Sequence, residues 1–260
     1  MSSRSPAARV SSLPELYVPL DVDQLRAVAA EFIGTSLFLW SATMAVTASG
    51  GDTLLIASSF GLTLIVCIAM TGSVSGGHIN PAVTLAMIIT RNIPPILGLF
   101  YIIAQLAGAA FGTLVSYEVA ASLKGALEVS ARTNTGGALV AEAFGTFVLV
   151  MTVFATAVQT SVGTQTNEKV AVRSQAPLLI GISVWAAHLA LIGYTGCGIN
   201  PARWFGTALV LNVWRSNSWV YIIGPALGAV AAALAQLGLF GTVRPETPEN
   251  SATSPKPHSP

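Results

Sequence analysis

The stretch Thr195-Gly196-Cys197-Gly198-Ile199-Asn200-Pro201-Ala202-Arg203 joins a polar, glycine-rich loop to a short apolar run over residues 204–213. Asn200 suits the N-cap of a helix, and Pro201 suits its first turn because proline needs no backbone donor there. The helix that follows has room for about ten residues, or roughly 15 Å, which is half of a ~30 Å hydrocarbon core. The stretch therefore predicts a half-helix that enters a membrane and stops near its middle.

The same pattern occurs a second time in the chain. Ser75-Gly76-Gly77-His78-Ile79-Asn80-Pro81-Ala82 again precedes a short apolar run, and Asn80 and Asn200 differ by 120 in number. Tyr101-Ile102-Ile103 and Tyr221-Ile222-Ile223 differ by the same 120, and Ala30-Glu31-Phe32-Ile33-Gly34-Thr35 resembles Ala141-Glu142-Ala143-Phe144-Gly145-Thr146. Self-similarity at a fixed offset indicates two copies of one structural unit.

Composition indicates a membrane protein. The 260 residues are 53% hydrophobic and 9% charged, with a mean hydropathy of +0.69, whereas soluble domains carry about 25% charged residues. Apolar segments predict six spans, near 26–48, 54–73, 94–118, 137–160, 177–195 and 217–240, with half-helices near 80–90 and 200–211. The net charge of +1 argues against a nucleic-acid partner, and two cysteines make no disulfide framework.

The repeat also predicts the topology. Each half holds three spans, an odd number, so the second half enters the membrane from the opposite side and the half-helices meet near the midplane. We expect an all-α membrane protein with six transmembrane helices and two re-entrant half-helices in one domain, 22–241, built from inverted repeats at about 22–120 and 136–241. Residues 1–21 and the Pro-, Ser- and Thr-rich stretch 242–260 are predicted to be disordered.

The distribution of positive charge predicts that both termini are cytoplasmic. In that orientation the outer side holds three cations, with a fourth, Arg203, inside the outer mouth. The inner side holds the remaining eight cations: Arg4, Arg9, Arg26, Arg91, Lys169, Arg173, Arg244 and Lys256.

With its two Asn-Pro-Ala motifs, the second followed by Arg203, and its paired Ala-Glu-x-x-Gly-Thr segments, the chain resembles the aquaporins from about residue 26 to residue 240. The segment 194–203 is similar to water-selective members rather than to glycerol facilitators. The resemblance implies a homotetramer in a membrane, with plasma membrane as the expected location. It also implies water as the permeant, one pore per subunit and no cofactor or metal.

The paired motifs have a physical rationale at the midplane. Each half-helix N-terminus carries about +0.5 elementary charge, so two of them at one point repel cations. Side-chain NH2 groups of Asn80 and Asn200 can donate to one passing water and turn its hydrogens outward, which interrupts proton hopping. Backbone carbonyls of 76–79 and 196–199 are expected to replace the hydrogen bonds that the water loses. Pro81, Ala82, Pro201 and Ala202 complete the two motifs.

The resemblance also implies an outer constriction formed by Phe60, His188, Cys197 and Arg203. In it Phe60 narrows the opening, His188 adds bulk and a hydrogen bond, Arg203 repels cations, and Cys197 turns its thiol to the pore. A satisfied core histidine, a snorkelling arginine and a packed phenylalanine are the alternatives. Trp204 departs from the family, where a small residue or an Asp follows the arginine, and leaves the shape of the constriction open.

Glu31 and Glu142 are the acids deep in predicted spans, at matching repeat positions. We interpret them as acceptors that brace the two loops, and His78 as a similar brace at the inner vestibule; a proton relay is the alternative for the carboxylates. The sequence thus predicts a passive water channel and no enzyme. The alternatives are a channel that also passes glycerol, hydrogen peroxide or ammonia, and an inverted-repeat secondary transporter.

Overall fold

A computed structural model describes residues 20–120, 122–159 and 166–240. Within these residues six helices are long and apolar enough to cross a membrane. The predicted all-α fold with six spans is confirmed. The helices are α1 Val22–Ala48, α2 Thr53–Ser75, α3 Pro81–Ile89, α4 Pro95–Val119, α5 Thr135–Val153, α6 Asn167–Ser174, α7 Ala176–Thr195, α8 Pro201–Leu211 and α9 Val220–Leu239.

The two ends of the chain that were predicted to be disordered fall mainly outside the described residues, at 1–19 and 241–260. Asp21, assigned by the sequence to the disordered start, is instead the N-cap of α1. Its carboxylate accepts from the Gln24 backbone N–H at 2.8 Å, while the Gln24 side chain accepts from the Asp21 N–H at 3.1 Å. This reciprocal pair is a capping box, which fixes the start of the helix.

The half-helices form as the Asn-Pro pairs predict. Asn80 caps α3 and Asn200 caps α8, with Pro81 and Pro201 in the first turns. Each preceding loop leaves its long helix through a left-handed glycine, Gly76 at φ 90° or Gly196 at φ 73°. A residue with a side chain is strained at these angles, so glycine allows the chain to reverse here toward the membrane centre.

Each half is held together by a close helix pair. In the first half α1 packs extensively on α4, and in the second half α5 packs on α9. Glycines make the approach possible, because a methyl group at Gly112 would overlap the Ser36 carbonyl oxygen and one at Gly228 would overlap the Ala143 carbonyl oxygen. Small residues at helix interfaces in lipid serve this purpose.

Gly112→Ala is therefore expected to force α1 and α4 apart and to reduce the yield of folded protein. The added methyl meets backbone atoms of Ser36 rather than a flexible side chain, so local adjustment cannot absorb it. Gly238→Ala is the matched control, because among the described residues no atom beyond its chain neighbours and its own helix backbone lies within 4 Å of the added methyl. Size-exclusion chromatography in detergent measures both variants, and equal monodisperse yields would contradict this packing account.

The connection over 159–176 is not wholly a loop. The residues Asn167–Ser174 form the short helix α6. Its N-cap Thr166 accepts from the Lys169 N–H, with Glu168 in the first turn and Arg173 in the last. These charges complement the helix dipole. Before it, α5 ends in a π-helical turn, Phe154–Val158.

Candidate functional site

The site is built where the two half-helices begin. The Asn80 amide oxygen accepts from the Ala82 N–H at 2.8 Å, and the Asn200 amide oxygen accepts from the Ala202 N–H at 3.0 Å. These bonds fix each amide so that its NH2 group points away from its own helix. Each NH2 then crosses to the other repeat, from Asn80 to the Ile199 carbonyl and from Asn200 to the Ile79 carbonyl, both at 2.9 Å.

The crossed bonds leave one hydrogen of each amide available. An amide NH2 has two N–H donors, and a single acceptor from the opposite repeat is recorded for each. Ile79 and Ile199, whose carbonyls accept, hold left-handed backbone at φ 55° and 41°. Such angles are costly for a β-branched residue, so the loops need firm support from the surrounding helices.

In the first repeat, Glu31 supplies that support. It is completely buried in α1. Its carboxylate accepts from the Ser75 hydroxyl at 2.6 Å and from the backbone N–H groups of His78 and Ile79 at 2.9 and 2.7 Å. A buried carboxylate is stable when several donors surround it. These contacts are those that a loop brace requires.

Glu142 repeats the arrangement in α5. It accepts from the Thr195 hydroxyl at 2.6 Å, from the Gly198 N–H at 2.8 Å and from the Ile199 N–H. The sequence repeat of tyrosines also has a physical role, since Tyr101 donates to the Ser75 carbonyl at 3.0 Å and Tyr221 to the Thr195 carbonyl at 2.8 Å. The two tyrosines thus hold the ends of α2 and α7, a role that sequence reasoning did not assign.

His78 belongs to a polar network that the second repeat lacks. Gln105 donates to Glu31 at 2.8 Å and to the Thr84 hydroxyl at 2.9 Å, and that hydroxyl donates to the Asn80 carbonyl. Because the single Thr84 proton is used, His78 Nδ1, 3.1 Å away, is the donor to Thr84. The residues offset by 120 from His78, Thr84 and Gln105 are Gly198, Trp204 and Pro225.

Three of the four predicted constriction residues lie together. The Phe60 and His188 rings stack with centroids 4.1 Å apart, and the Arg203 guanidinium carbon lies 4.5 Å from the Phe60 centroid. Arg203 Nη2 donates to the Gly196 carbonyl at 3.0 Å. The contact between a guanidinium and an aromatic face is a cation–π interaction.

Two buried polar atoms at this constriction have no protein partner among the described residues: His188 Nε2 and Arg203 Nη1. His188 Nδ1 lies 2.8 Å from the Val184 carbonyl, which can only accept, so Nδ1 carries the proton and Nε2 is an acceptor. The constriction residues therefore hold one acceptor and one donor that the described protein atoms leave unpaired, and buried polar atoms of this kind are commonly satisfied by water.

Cys197 and Trp204 are not part of the side-chain cluster that Phe60, His188 and Arg203 form. Cys197 is completely buried, at φ 56°. The wall of the pore cavity includes His188 and Arg203, whereas Phe60 and Cys197 both lie outside it. Trp204 turns away from the constriction and packs edge-on against Trp214, with centroids 5.7 Å apart. Its indole therefore does not narrow the opening, which resolves the shape that the sequence left open.

A cavity of about 580 Å³ leads from the constriction past both asparagines. It reaches the side on which α1 begins, where Asn92 and Arg173 form part of its wall. Apolar side chains make up much of the rest, with the loop residues 76–80 and 198–200 adding backbone groups. Among the described residues, no group of three or more His, Cys, Asp or Glu side chains is placed to hold a metal ion.

Comparison with known proteins agrees with this architecture. Residues 20–236 match the major intrinsic protein family. The chain is 39% identical to mouse (Mus musculus) aquaporin-4 over 218 residues, which is 80% of this chain and 65% of that protein. It is 39% identical to aquaporin PIP2-4 of Oryza sativa subsp. japonica, covering 83% of this chain and 84% of that protein. For human (Homo sapiens) aquaporin-5 the identity is 40%, covering 81% and 79%.

The fold also matches a solved structure, the aquaglyceroporin from Plasmodium falciparum. The TM-score is 0.72 with 20% sequence identity, covering 84% of this chain and 97% of that chain. At this identity the match supports the fold. The match to the family over most of the chain, together with the two facing half-helices and six spans, shows that this chain is an integral membrane channel of the major intrinsic protein, or aquaporin, family.

Proposed function

We propose that the chain is a passive water channel that excludes protons, ions and larger solutes. The observation that carries the proposal is the pair of crossed amides, Asn80 and Asn200, at the start of two facing half-helices. Each amide keeps one N–H for the pore. A water that accepts both bonds has its own hydrogens turned along the pore in opposite directions, so no chain of donors and acceptors runs through the junction.

Electrostatics supports the same proposal. Both half-helices direct the positive ends of their dipoles at the junction, and Arg203 adds a full positive charge at the constriction. In a low-dielectric, narrow passage this arrangement raises the energy of a cation far more than it does in water. For a neutral water, the constriction residues offer the Arg203 Nη1 donor and the His188 Nε2 acceptor, neither of which has a partner among the described residues.

The experiment that tests proton exclusion is a paired flux measurement on proteoliposomes. Osmotic shrinkage by stopped flow gives the water permeability, and an entrapped pH-sensitive dye gives proton entry under a pH gradient. We expect fast water flow with a low activation energy and a proton flux equal to that of protein-free vesicles. A proton flux that rises with the amount of reconstituted protein would overturn the proposal.

Removing the fixed charge should open a proton leak. In Arg203→Val combined with His188→Ala, the constriction loses its positive charge and a ring, and the dye assay is expected to show faster proton entry. Arg203→Lys combined with His188→Ala is the matched control, because it keeps a positive charge at the same level. Equal proton entry in the two variants would show that the charge at position 203 is not the barrier.

The Cys197 thiol is buried next to the constriction, so a mercurial that bonds to it must displace the neighbouring Gly196 carbonyl that holds Arg203. We therefore expect mercurial reagents to block the channel slowly through Cys197. Cys197→Ser is expected to keep the water permeability and to lose the block. The sequence has one other cysteine, Cys67, which is buried in α2, and Cys67→Ser is the control. Undiminished block in Cys197→Ser would assign the reactive thiol to Cys67.

We infer further that both termini are cytoplasmic, that the membrane is the plasma membrane, and that four copies assemble with one pore each. The excess of Lys and Arg on the side of the termini supports the orientation. In that orientation the wide cavity with Arg173 opens to the cytoplasm and the constriction lies near the outer face. Accessibility of a cysteine at an end residue to an impermeant thiol reagent, in sealed cells, tests the orientation.

A further inference from the structure

A second cavity lies behind the half-helices, on the side away from the pore. It has a volume of about 320 Å³, and its exposed lining consists of apolar atoms alone. Residues of α4 and α9 form its two sides, and Pro81 and Pro201 form part of its floor. We call this cavity the rear cleft.

The rear cleft lies on the axis of the inverted repeat. Pro81 and Pro201, which both line it, differ by 120 in number, as do Ile102 on α4 and Ile222 on α9. The same offset relates Asn80 and Asn200, which line the pore cavity. The junction of the two half-helices thus has a polar front that faces the pore and an apolar back that faces the cleft.

Two further pairs at the offset of 120 line the cleft: Leu85 on α3 with Phe205 on α8, and one pair on the long helices. Leu106 on α4 corresponds to Ala226 on α9, and both line the cleft. A leucine on one side and an alanine on the other leave more space than two leucines would. Trp204 is one of the residues that line the cleft, so an occupant of the cleft lies close to it.

The cleft is continuous with the lipid-facing surface. Its wall residue Ile222 is 42% exposed, and the flanking side chains of Ile103 and Ile223 are 53% and 44% exposed, all within the membrane-spanning helices α4 and α9. The surroundings of such residues in an integral membrane protein are the acyl chains of the bilayer. An acyl chain of a lipid can therefore enter the cleft without crossing a polar boundary.

Water does not suit the cleft, since a buried water needs two to four polar partners and the lining offers none. An empty cleft would leave its wall atoms without dispersion partners. We propose that the rear cleft binds one acyl chain of a bilayer phospholipid, which packs against the backs of both half-helices. The acyl chain fills the space that a packed protein side chain would otherwise fill behind the junction of the half-helices.

Quenching of Trp204 by brominated lipid tests this proposal. Trp40, Trp185, Trp214 and Trp219 are replaced by Phe, and the single-tryptophan protein is reconstituted in phosphatidylcholine brominated at the middle of its acyl chain. We expect strong quenching of Trp204, and weaker quenching when the bromine is placed next to the headgroup. Ala226→Phe in the same background fills the cleft and should reduce the mid-chain quenching roughly twofold or more, because quenching requires contact.

Ala231→Phe is the matched control, since Ala231 is exposed on α9 outside the cleft lining and should leave the quenching unchanged. If brominated lipid does not quench the Trp204 fluorescence, the proposal is overturned, and the cleft is either empty or covered by another subunit. Unchanged quenching in Ala226→Phe would also overturn it, because the lipid would then reach Trp204 by another route. If the single-tryptophan protein does not fold, the difference in quenching between the unmodified protein and Trp204→Phe gives the same quantity.

Discussion

Replacing Phe60 and His188 together by alanine is expected to let glycerol through the channel while water still passes. The two rings stack with centroids 4.1 Å apart, and the Arg203 guanidinium carbon lies 4.5 Å from the Phe60 centroid, so the three side chains form one packed cluster. Removing both rings opens space beside Arg203. Trp204 points away and packs on Trp214, so its indole does not refill that space.

The size of the effect follows from the hydrogen bonds that a permeating solute loses. Each unmet buried hydrogen bond costs about 1–3 kcal/mol, and a wider, wetter opening removes at least one such cost. Glycerol permeability should therefore rise roughly tenfold or more, since 1.4 kcal/mol corresponds to a factor of ten. Light scattering of proteoliposomes in a glycerol gradient measures this rise.

The control for the double variant is Phe144→Ala, because Phe144 is 68% exposed on α5 and lies outside the cavity wall. That change should leave both permeabilities unaltered. A double variant that folds, conducts water and still excludes glycerol as the unmodified protein does would show that these rings do not form the size filter.

Glu142→Leu is expected to destroy the fold of the second loop. It leaves the Thr195 hydroxyl and the N–H groups of Gly198 and Ile199 without their acceptor. Each buried donor without an acceptor costs about 1–3 kcal/mol. The combined loss in free energy of unfolding from the three donors approaches the total of about 5–15 kcal/mol that is typical of a folded domain. Little monodisperse protein should survive extraction in detergent.

Two comparisons separate this bracing role from a proton relay. Glu142→Gln keeps one acceptor oxygen and should retain part of the folded yield, whereas Phe144→Leu on the same helix should retain all of it. If Glu142→Leu instead gave the full yield of a water-permeable protein, the carboxylate would not be holding the loop.

The sequence is most informative where the chemistry recurs. The two Asn-Pro pairs predicted the half-helices, because an N-cap followed by proline fixes a helix start locally. The offset of 120 between Asn80 and Asn200 predicted that they meet, and the crossed bonds to Ile199 and Ile79 join the two repeats at this point. The spans followed from length and hydropathy alone.

Features without a counterpart in the other repeat were harder to predict. Gln105 links Glu31 to Thr84, but its partner position is Pro225, so the repeat gave no signal for it. The orientation of Trp204 was available in principle, since adjacent residues of a helix differ by about 100° in direction. Short helix α6 was missed because its sequence is polar and it buries no residue.

The stacked Phe60–His188 pair and the Arg203 contact rest on long-range packing that spacing does not encode. Phe60 lies on α2, His188 on α7 and Arg203 on α8, and the resemblance to the aquaporins alone suggested that they meet. Physical reasoning from the sequence would have left Phe60 among the core side chains. The structure brings the three together and shows which polar atoms remain for a permeant.

Parallel measurement of water and glycerol flow through one preparation of proteoliposomes tests the central claim most directly. Stopped-flow light scattering records shrinkage in an impermeant osmolyte and reswelling in glycerol, with protein-free vesicles as the baseline. Water permeability well above the baseline with a low activation energy, and glycerol permeability equal to the baseline, is the predicted result. Water flow at the baseline, or glycerol flow that rises in step with water flow, would contradict a water-selective channel.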